Sequence, residues 1–192
     1  MRTNHGHPIR ERFGGIVAPV DYTSPTGYRP GPAPYRRLQP LGQLLTRCGL
    51  SPGYAVVLEV PGRRTGNIRR TNLVRVDHDG RHFLVSLGGE SEWVRNVRAA
   101  DGRVVLGRRE CRAARLTEIP PAERPPVIRA YLHRAGRAGR SWGAAREARH
   151  YFGVTTDPAD AELRGIAERY PVFRVDYRTP SRSTPCPAAG LP

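Results

Sequence analysis

The chain has 192 residues with 38% hydrophobic residues, 21 glycines and 19 prolines, which is the size of one ordinary domain with tails. All 32 basic residues are arginine, and the lack of lysine excludes Walker-type phosphate loops and pyridoxal-phosphate enzymes, because both need a lysine. The net charge of +15 attracts polyanions, but no zinc-finger, helix-turn-helix or RNA-binding motif accompanies it, so we expect no specific nucleic-acid binding.

The cysteines and the N-terminus bear on the compartment. Cys48, Cys111 and Cys186 are isolated and form no CxxC pair, so we expect neither a zinc site nor a disulfide framework. Free thiols fit a reducing cytosol. The sequence has no apolar run long enough to cross a bilayer, and its N-terminus lacks the apolar segment of a signal peptide. These features predict a cytoplasmic protein.

Both ends of the chain are rich in proline and lack periodicity. This composition predicts disordered tails at 1–37 and 179–192 around one domain at 38–178. At the start of the domain, apolar residues recur at helical spacing over Leu38–Leu50, which predicts a short amphipathic helix. This helix either packs on the domain or lies on a membrane surface.

The middle of the domain is typical of strands joined by tight turns. β-branched residues indicate a buried strand at Tyr54–Val60, and alternation indicates another at Ile68–Asp77. The pair Asp79-Gly80 predicts a hairpin turn into a third strand. The remaining predicted elements are strands Arg81–Leu87, Arg103–Leu106, Cys111–Thr117 and Pro171–Tyr177, and helices Glu90–Ala100 (N-cap Ser91), Pro121–Leu132 and Pro158–Glu168.

This order of elements predicts the architecture. Antiparallel strands with early hairpins favour a mainly β fold with flanking helices, in the form of an antiparallel six-stranded split β-barrel. No strand-GxGxxG-helix unit is present, so a Rossmann domain is not expected. The basic segment 136–149 has no pattern that assigns it to an element.

Two polar loops at strand ends carry the candidate chemistry. The first contains Arg63, Arg64, Arg69 and Arg70, whose planar donor groups suit phosphate and carboxylate oxygens. Gly62 and Gly66 would let backbone N–H groups face outward as an anion-binding nest, although an ordinary solvated hairpin is the alternative. In the second loop, Ser86–Gly89, small residues allow close approach of a flat ligand. Together the loops predict a cleft for a planar, anionic cofactor.

A series of motifs follows one order from about residue 42 to residue 177. The segments are PGRRTG at 61–66, RRT at 69–71, SLGG at 86–89, EWVRN at 92–96, PPVIRAYL at 125–132, YFGVTT at 151–156 and YPVFRV at 170–175. In this order they resemble the deazaflavin-dependent nitroreductase and quinone-reductase family of actinobacteria. The resemblance implies the flavin-binding split-barrel fold and coenzyme F-420, whose polyanionic tail suits the arginine loop; FMN is the alternative cofactor.

The resemblance also implies the reaction and the residues that serve it. It implies hydride transfer from reduced coenzyme F-420 to a small organic acceptor, such as a quinone, a nitro compound or an activated alkene. Ser86 and Tyr151 are candidates for the proton donor, with water as a third. The implied cofactor-binding residues are Arg63, Arg64, Thr65, Gly66, Arg69, Arg70, Ser86, Leu87, Gly88, Gly89, Trp93 and Asn96.

Several alternatives stay open at this point. Trp93 either contacts the cofactor or is a core residue, and Asn96 either caps its helix or orients it against the loop. Leu87 departs from the family, where an aromatic residue or a lysine is common. The histidines have no ligand spacing, so no metal site is predicted. A homodimer and a peripheral membrane contact are compatible with the family, and a basic nucleic-acid-binding protein without catalysis is the alternative class.

Overall fold

The computed structural model describes residues 45–46, 48, 53–108, 110–137, 151–155, 157–178 and 184–185. The predicted tail at 1–37, most of the predicted helix Leu38–Leu50, the basic segment from residue 138 onward and most of 179–192 lie outside these residues. Of the predicted first helix, Leu45 and Thr46 are helical, and Thr46 is buried. Among the described residues, no helix is long and apolar enough to cross a membrane.

The described strands form a closed antiparallel barrel. Strands β1 to β6 are Ala55–Pro61, Ile68–His78, Arg81–Val85, Arg103–Gly107, Glu110–Glu118 and Val172–Tyr177. They pair in the order β4-β1-β2-β3-β6-β5, and β5 returns to β4, so that each of the six strands has two antiparallel partners. Closure protects strand edges that an open sheet would expose. The predicted mainly β fold and six-stranded barrel are confirmed.

The helices lie at the ends and on one side of the barrel. Helix α1 is Glu92–Ala99, α2 is Arg124–Arg137 and α3 is Asp160–Arg169. The predicted helix at Pro121–Leu132 starts instead with a separate 3-10 turn at Pro121–Glu123, because proline has no N–H to donate into a helix. Ser91 is the N-cap of α1 as predicted, but its side chain makes no capping hydrogen bond.

The strands contribute side chains to two hydrophobic clusters, one inside the barrel and one outside it. Inside the barrel, α1 contributes Trp93, Val94 and Val97, which pack against inward residues of β1, β3, β4, β5 and β6. Outside it, α2 packs against the outer faces of β2 and β3, and α3 packs against α2. Successive residues on β3 go to opposite clusters, since side chains alternate along a strand: Leu84 points inward and Phe83 outward. Both faces of this strand are therefore buried.

The cysteines depart from expectation. Cys48 is free and exposed, whereas Cys111 is disulfide-bonded, so the expectation that all the cysteines are free thiols was wrong. The C-terminal residues Thr184–Pro185 form a short strand β7 that pairs with β5 at Glu110 and Cys111. This pairing places part of the predicted tail against the barrel.

Gly102, in the turn between α1 and β4, is a sterically restricted backbone position. Its φ is +72°, and a Cβ there would lie 2.3 Å from the Leu116 carbonyl oxygen. Its carbonyl also accepts a 2.8 Å hydrogen bond from the Leu116 amide. We expect Gly102→Ala to lower the free energy of unfolding by about 2 kcal/mol, measured by urea denaturation, because strain and a backbone clash combine.

Gly80→Ala is the matched control. Gly80 has a similar φ of +70°, but nothing lies within 4 Å of a Cβ built there. This variant therefore adds only the backbone strain, about 1 kcal/mol. Equal losses of unfolding free energy in the two variants would show that the contact with Leu116 adds nothing to the cost of the Gly102 substitution.

Candidate functional site

The turn between β1 and β2 folds back on itself. The Gly62 amide donates to the Asn67 carbonyl oxygen at 2.9 Å, and the Gly66 amide donates to the Gly62 carbonyl oxygen at 2.8 Å. Gly66 adopts φ +71°, which favours glycine. Both glycine N–H groups are thus used inside the turn. The N–H groups of these two glycines are therefore not donors of the predicted anion-binding nest.

Helix α1 holds this turn in place through one buried amide. The Oδ1 atom of Asn96 accepts hydrogen bonds from the Arg63 backbone N–H at 3.1 Å and from Arg63 Nη1 at 3.2 Å. Arg63 Nη1 also lies 2.6 Å from Glu92 Oε2 in the first turn of the helix. This hydrogen bond holds the pKa of Glu92 below its usual value and raises the pKa of Arg63. Asn96 therefore orients the turn against α1, which was one of its two predicted roles.

The four arginines of the turn divide into two pairs. Arg63 is bound to Glu92, and Arg70 Nε donates to the mostly buried carboxylate of Glu59 at 3.0 Å. Arg64 and Arg69 are exposed, and within the described part of the chain neither guanidinium has a hydrogen bond or an ion pair. Arg63 and Arg70 are therefore used in ion pairs within the fold, and Arg64 and Arg69 are available to a ligand.

The Ser86–Ser91 loop, which joins β3 to α1, is closed by its own hydrogen bonds. Ser86 is fully buried, its Oγ donates to the Gly89 carbonyl oxygen at 2.7 Å, and it lies 3.1 Å from Ser91 Oγ. The Gly89 amide donates back to the Ser86 carbonyl oxygen at 3.2 Å. The amides of Leu87 and Gly88 make no hydrogen bond to any residue that the structure describes. These two N–H groups are available to a ligand.

Two other predicted residues pack against the hydrophobic clusters. Trp93 is 7% exposed and packs inside the barrel, with its ring centroid 5.4 Å from that of Phe173. It is a core residue, which was the alternative to a cofactor contact. Tyr151 is half-buried against the outer cluster, and its carbonyl oxygen accepts a hydrogen bond from the Tyr170 hydroxyl.

The structure therefore brings most of the predicted residues together around α1. Thr65 and Gly66 are exposed on the arginine turn, Asn96 joins that turn to the helix, and the Ser86–Ser91 loop leads directly into the helix. The carboxylates Glu59 and Glu92, which fix two of the arginines, were not predicted. The position of Glu92 in the first turn of a helix was the one available signal, since acidic residues are favoured there.

A separate shallow groove lies far from this surface. It is lined by His78, Arg129, His133 and Leu163 among others, between the end of β2 and helices α2 and α3. Strand β2 runs from the arginine turn to His78, which is about 30 Å at the usual rise per residue. The groove is therefore not part of the candidate site.

Comparisons with known proteins complete the description. Residues 33–127 match the family model of the F420H(2)-dependent quinone reductases. No curated protein matches the chain. A solved F420-H2 dependent reductase, FDR-A, is 20% identical, with 65% of this chain and 95% of that chain covered and a TM-score of 0.40.

Two further solved structures are similar at the same level. A protein of unknown function from Agrobacterium tumefaciens is 16% identical over 81% of this chain and 60% of that chain, with a TM-score of 0.45. A conserved hypothetical protein from Mycobacterium tuberculosis is 20% identical over 79% of this chain and 88% of that chain, with a TM-score of 0.37.

The family match spans the arginine turn, the Ser86–Ser91 loop and α1, which are the parts of the chain that form the candidate site. Four of the seven motifs that carry the resemblance, at 61–66, 69–71, 86–89 and 92–96, lie within this match. The chain belongs to the F420H(2)-dependent quinone reductase family, and it is an oxidoreductase whose cofactor is the deazaflavin coenzyme F-420.

Proposed function

We propose that the β1–β2 turn binds the anionic tail of coenzyme F-420 through Arg64 and Arg69. The observation that carries this proposal is the division of the four arginines, because among the described residues only these two make no hydrogen bond or ion pair with a carboxylate. An exposed guanidinium is a planar donor that suits phosphate and carboxylate oxygens. Arg63 and Arg70 support the same site indirectly, by fixing the turn against α1 and β1.

The Ser86–Ser91 loop is the proposed place for the deazaflavin ring. The amides of Leu87 and Gly88 are the donors available for ring carbonyl groups. The Leu87 side chain packs against the outer hydrophobic cluster, and the buried Ser86 hydroxyl ties the loop to Gly89. These contacts hold the two amides in a fixed place before any ligand arrives. Donors that are already ordered cost little conformational entropy on binding.

The chain itself binds, orients and shields the reactants. When bound, reduced coenzyme F-420 supplies a hydride, and we propose a quinone, a nitro compound or an activated alkene as the acceptor. Ser86 is a poor proton donor, because its hydroxyl is fully buried and already donates to the Gly89 carbonyl oxygen. It positions the loop instead, which leaves water and Tyr151 as the sources of a proton. The homodimer and the peripheral membrane contact stay predictions.

Titration of the purified protein with coenzyme F-420, followed by fluorescence, tests the proposal. We expect micromolar binding that weakens as salt is added, because salt screens the tail contacts at exposed arginines. FMN, which has one phosphate, is titrated in parallel and should bind more weakly. If neither ligand binds, and if the protein binds DNA without sequence preference in a salt-sensitive way, the nucleic-acid alternative is correct.

A further inference from the structure

We propose that Arg98 is a positioning residue, which fixes the Ser86–Ser91 loop from outside the cofactor site. This inference rests on the proposed role of that loop in holding the deazaflavin ring. Arg98 lies in the last turn of α1, and no part of the proposed ligand surface includes it.

Arg98 bridges two carboxylates from different parts of the chain. Its Nη1 and Nη2 atoms donate to the two carboxylate oxygens of Glu90, at 2.7 and 3.1 Å. Its Nε and Nη2 atoms donate to Glu118 at the end of β5, at 2.8 and 3.0 Å. Each contact is a forked pair, which fixes direction as well as distance. These hydrogen bonds raise the pKa of Arg98, with Glu118 the larger cause.

The second carboxylate is anchored in the fold. Glu118 Oε1 also accepts from Arg124 Nη2 at 3.1 Å, and the Arg124 side chain is only 8% exposed. Arg124 donates in turn to the carbonyl oxygens of Ile119 and Ala167. Glu90 is thereby connected through Arg98 and Glu118 to the buried Arg124, which donates four hydrogen bonds. Glu118 cannot easily follow the loop if the loop moves.

The hydrogen bonds between Arg98 and Glu90 restrain the end of the loop that leads into α1. Its first end is held by the Ser86 amide, which donates to the Pro171 carbonyl oxygen at 2.9 Å. At its second end, Ser91 begins α1 without a side-chain capping hydrogen bond. Glu90 is the residue between the closed turn and the helix. The pair with Arg98 therefore restrains the point where the loop would otherwise hinge.

The partial exposure of this network predicts a local effect. Arg98 is 42% exposed and Glu90 36% exposed, and ion pairs in contact with water add little to global stability. Loss of Arg98 should thus loosen the loop without unfolding the barrel. A residue with a general structural role would instead lower the melting temperature and speed exchange throughout the strands.

Hydrogen exchange on the free protein is the direct test. In Arg98→Ala we expect the amides of Gly89 and Ser91, both hydrogen-bonded inside the loop, to exchange about tenfold faster, with strand amides unchanged. The dissociation constant for coenzyme F-420 should rise about tenfold, and the melting temperature should fall by less than about 3 °C. Glu90→Gln should change exchange in the same direction, and the double variant should add little more.

Arg115→Ala is the control. It removes one exposed ion pair, between Arg115 and Asp101 at 2.8 Å, and this pair touches no part of the loop. The change in net charge is the same as in Arg98→Ala. Unchanged exchange at Gly89 and Ser91 in Arg98→Ala, or faster exchange spread over the whole barrel, would overturn the inference. Because exchange is measured without ligand, its result is distinguishable from a failure of the proposed function, which would appear in the binding of coenzyme F-420 by the wild-type protein and the arginine-turn variants.

Discussion

Replacing Arg64 and Arg69 together by alanine is expected to raise the dissociation constant for coenzyme F-420 about 100-fold, with little change in melting temperature. A hydrogen bond to a charged group contributes about 1.5–3 kcal/mol, and a 100-fold loss corresponds to about 2.7 kcal/mol, which is the low end for two exposed cations. Neither guanidinium holds the fold, since neither has a hydrogen bond or an ion pair among the described residues. Isothermal titration and thermal unfolding of the same samples measure both quantities.

The double variant Arg81→Ala/Arg164→Ala is the matched control. Both side chains are exposed, neither has an ion pair within the described residues, and the change in net charge is the same. Arg81 lies at the opposite end of β2 from the arginine turn. We expect a change of less than about threefold in this control, from the long-range field alone. If both double variants weaken binding equally, binding depends on the overall charge of the protein. The turn is then not the site of the cofactor tail.

The sequence predicted this turn but could not separate its arginines. All four are the same residue type within eight positions, so composition and spacing treat them alike. What distinguishes them is a partner elsewhere in the chain: Glu92 follows Arg63 by 29 residues, and Glu59 precedes Arg70 by 11. The first pair meets only when α1 packs on the barrel, and the second when β1 pairs with β2. A binding role could be predicted for the loop, but not for individual side chains.

The strands were predicted well because their turns are encoded locally. Asp79 and Gly80 both adopt positive φ, at 47° and 70°, which is what a tight hairpin between paired strands requires. The division between inner and outer clusters was not predictable from β3, because Phe83, Leu84 and Val85 are all apolar and all buried, on both faces of the strand. Alternation of polarity, the usual signal, is absent where helices cover the outside.

Arg124 shows the limit of sequence reasoning most clearly. It lies in a run of prolines and apolar residues and resembles any surface arginine at the start of a helix. In the structure, its guanidinium donates to the carbonyl oxygens of Ile119, Ala167 and Tyr170, at 2.9, 2.8 and 3.4 Å. Two of these acceptors are 43 and 46 residues away, and every residue type has a backbone carbonyl. No sequence motif could therefore indicate the contacts.

Arg124→Met is expected to lower the free energy of unfolding by about 4 kcal/mol, the largest stability effect that we predict. Methionine keeps the apolar stem but removes every donor, which leaves buried carbonyl groups and Glu118 without this partner. Burial already lowers the pKa of Arg124, so the fold holds this charge at a desolvation cost that its hydrogen bonds offset. Urea denaturation followed by circular dichroism measures the loss.

Arg129→Met, on the same helix, separates this effect from the loss of any ion pair. Arg129 bonds Asp157 and Asp160 at 3.2 and 2.5 Å, but both carboxylates are 79% exposed, so water replaces the guanidinium and the cost should stay below about 1 kcal/mol. Similar losses for the two variants would mean that the Arg124 contacts add no more than surface pairs do. The larger loss at Arg124 would show instead that this one side chain, through carbonyl groups on both sides of it, fastens α3 to the end of β5 beside the network that holds the cofactor loop.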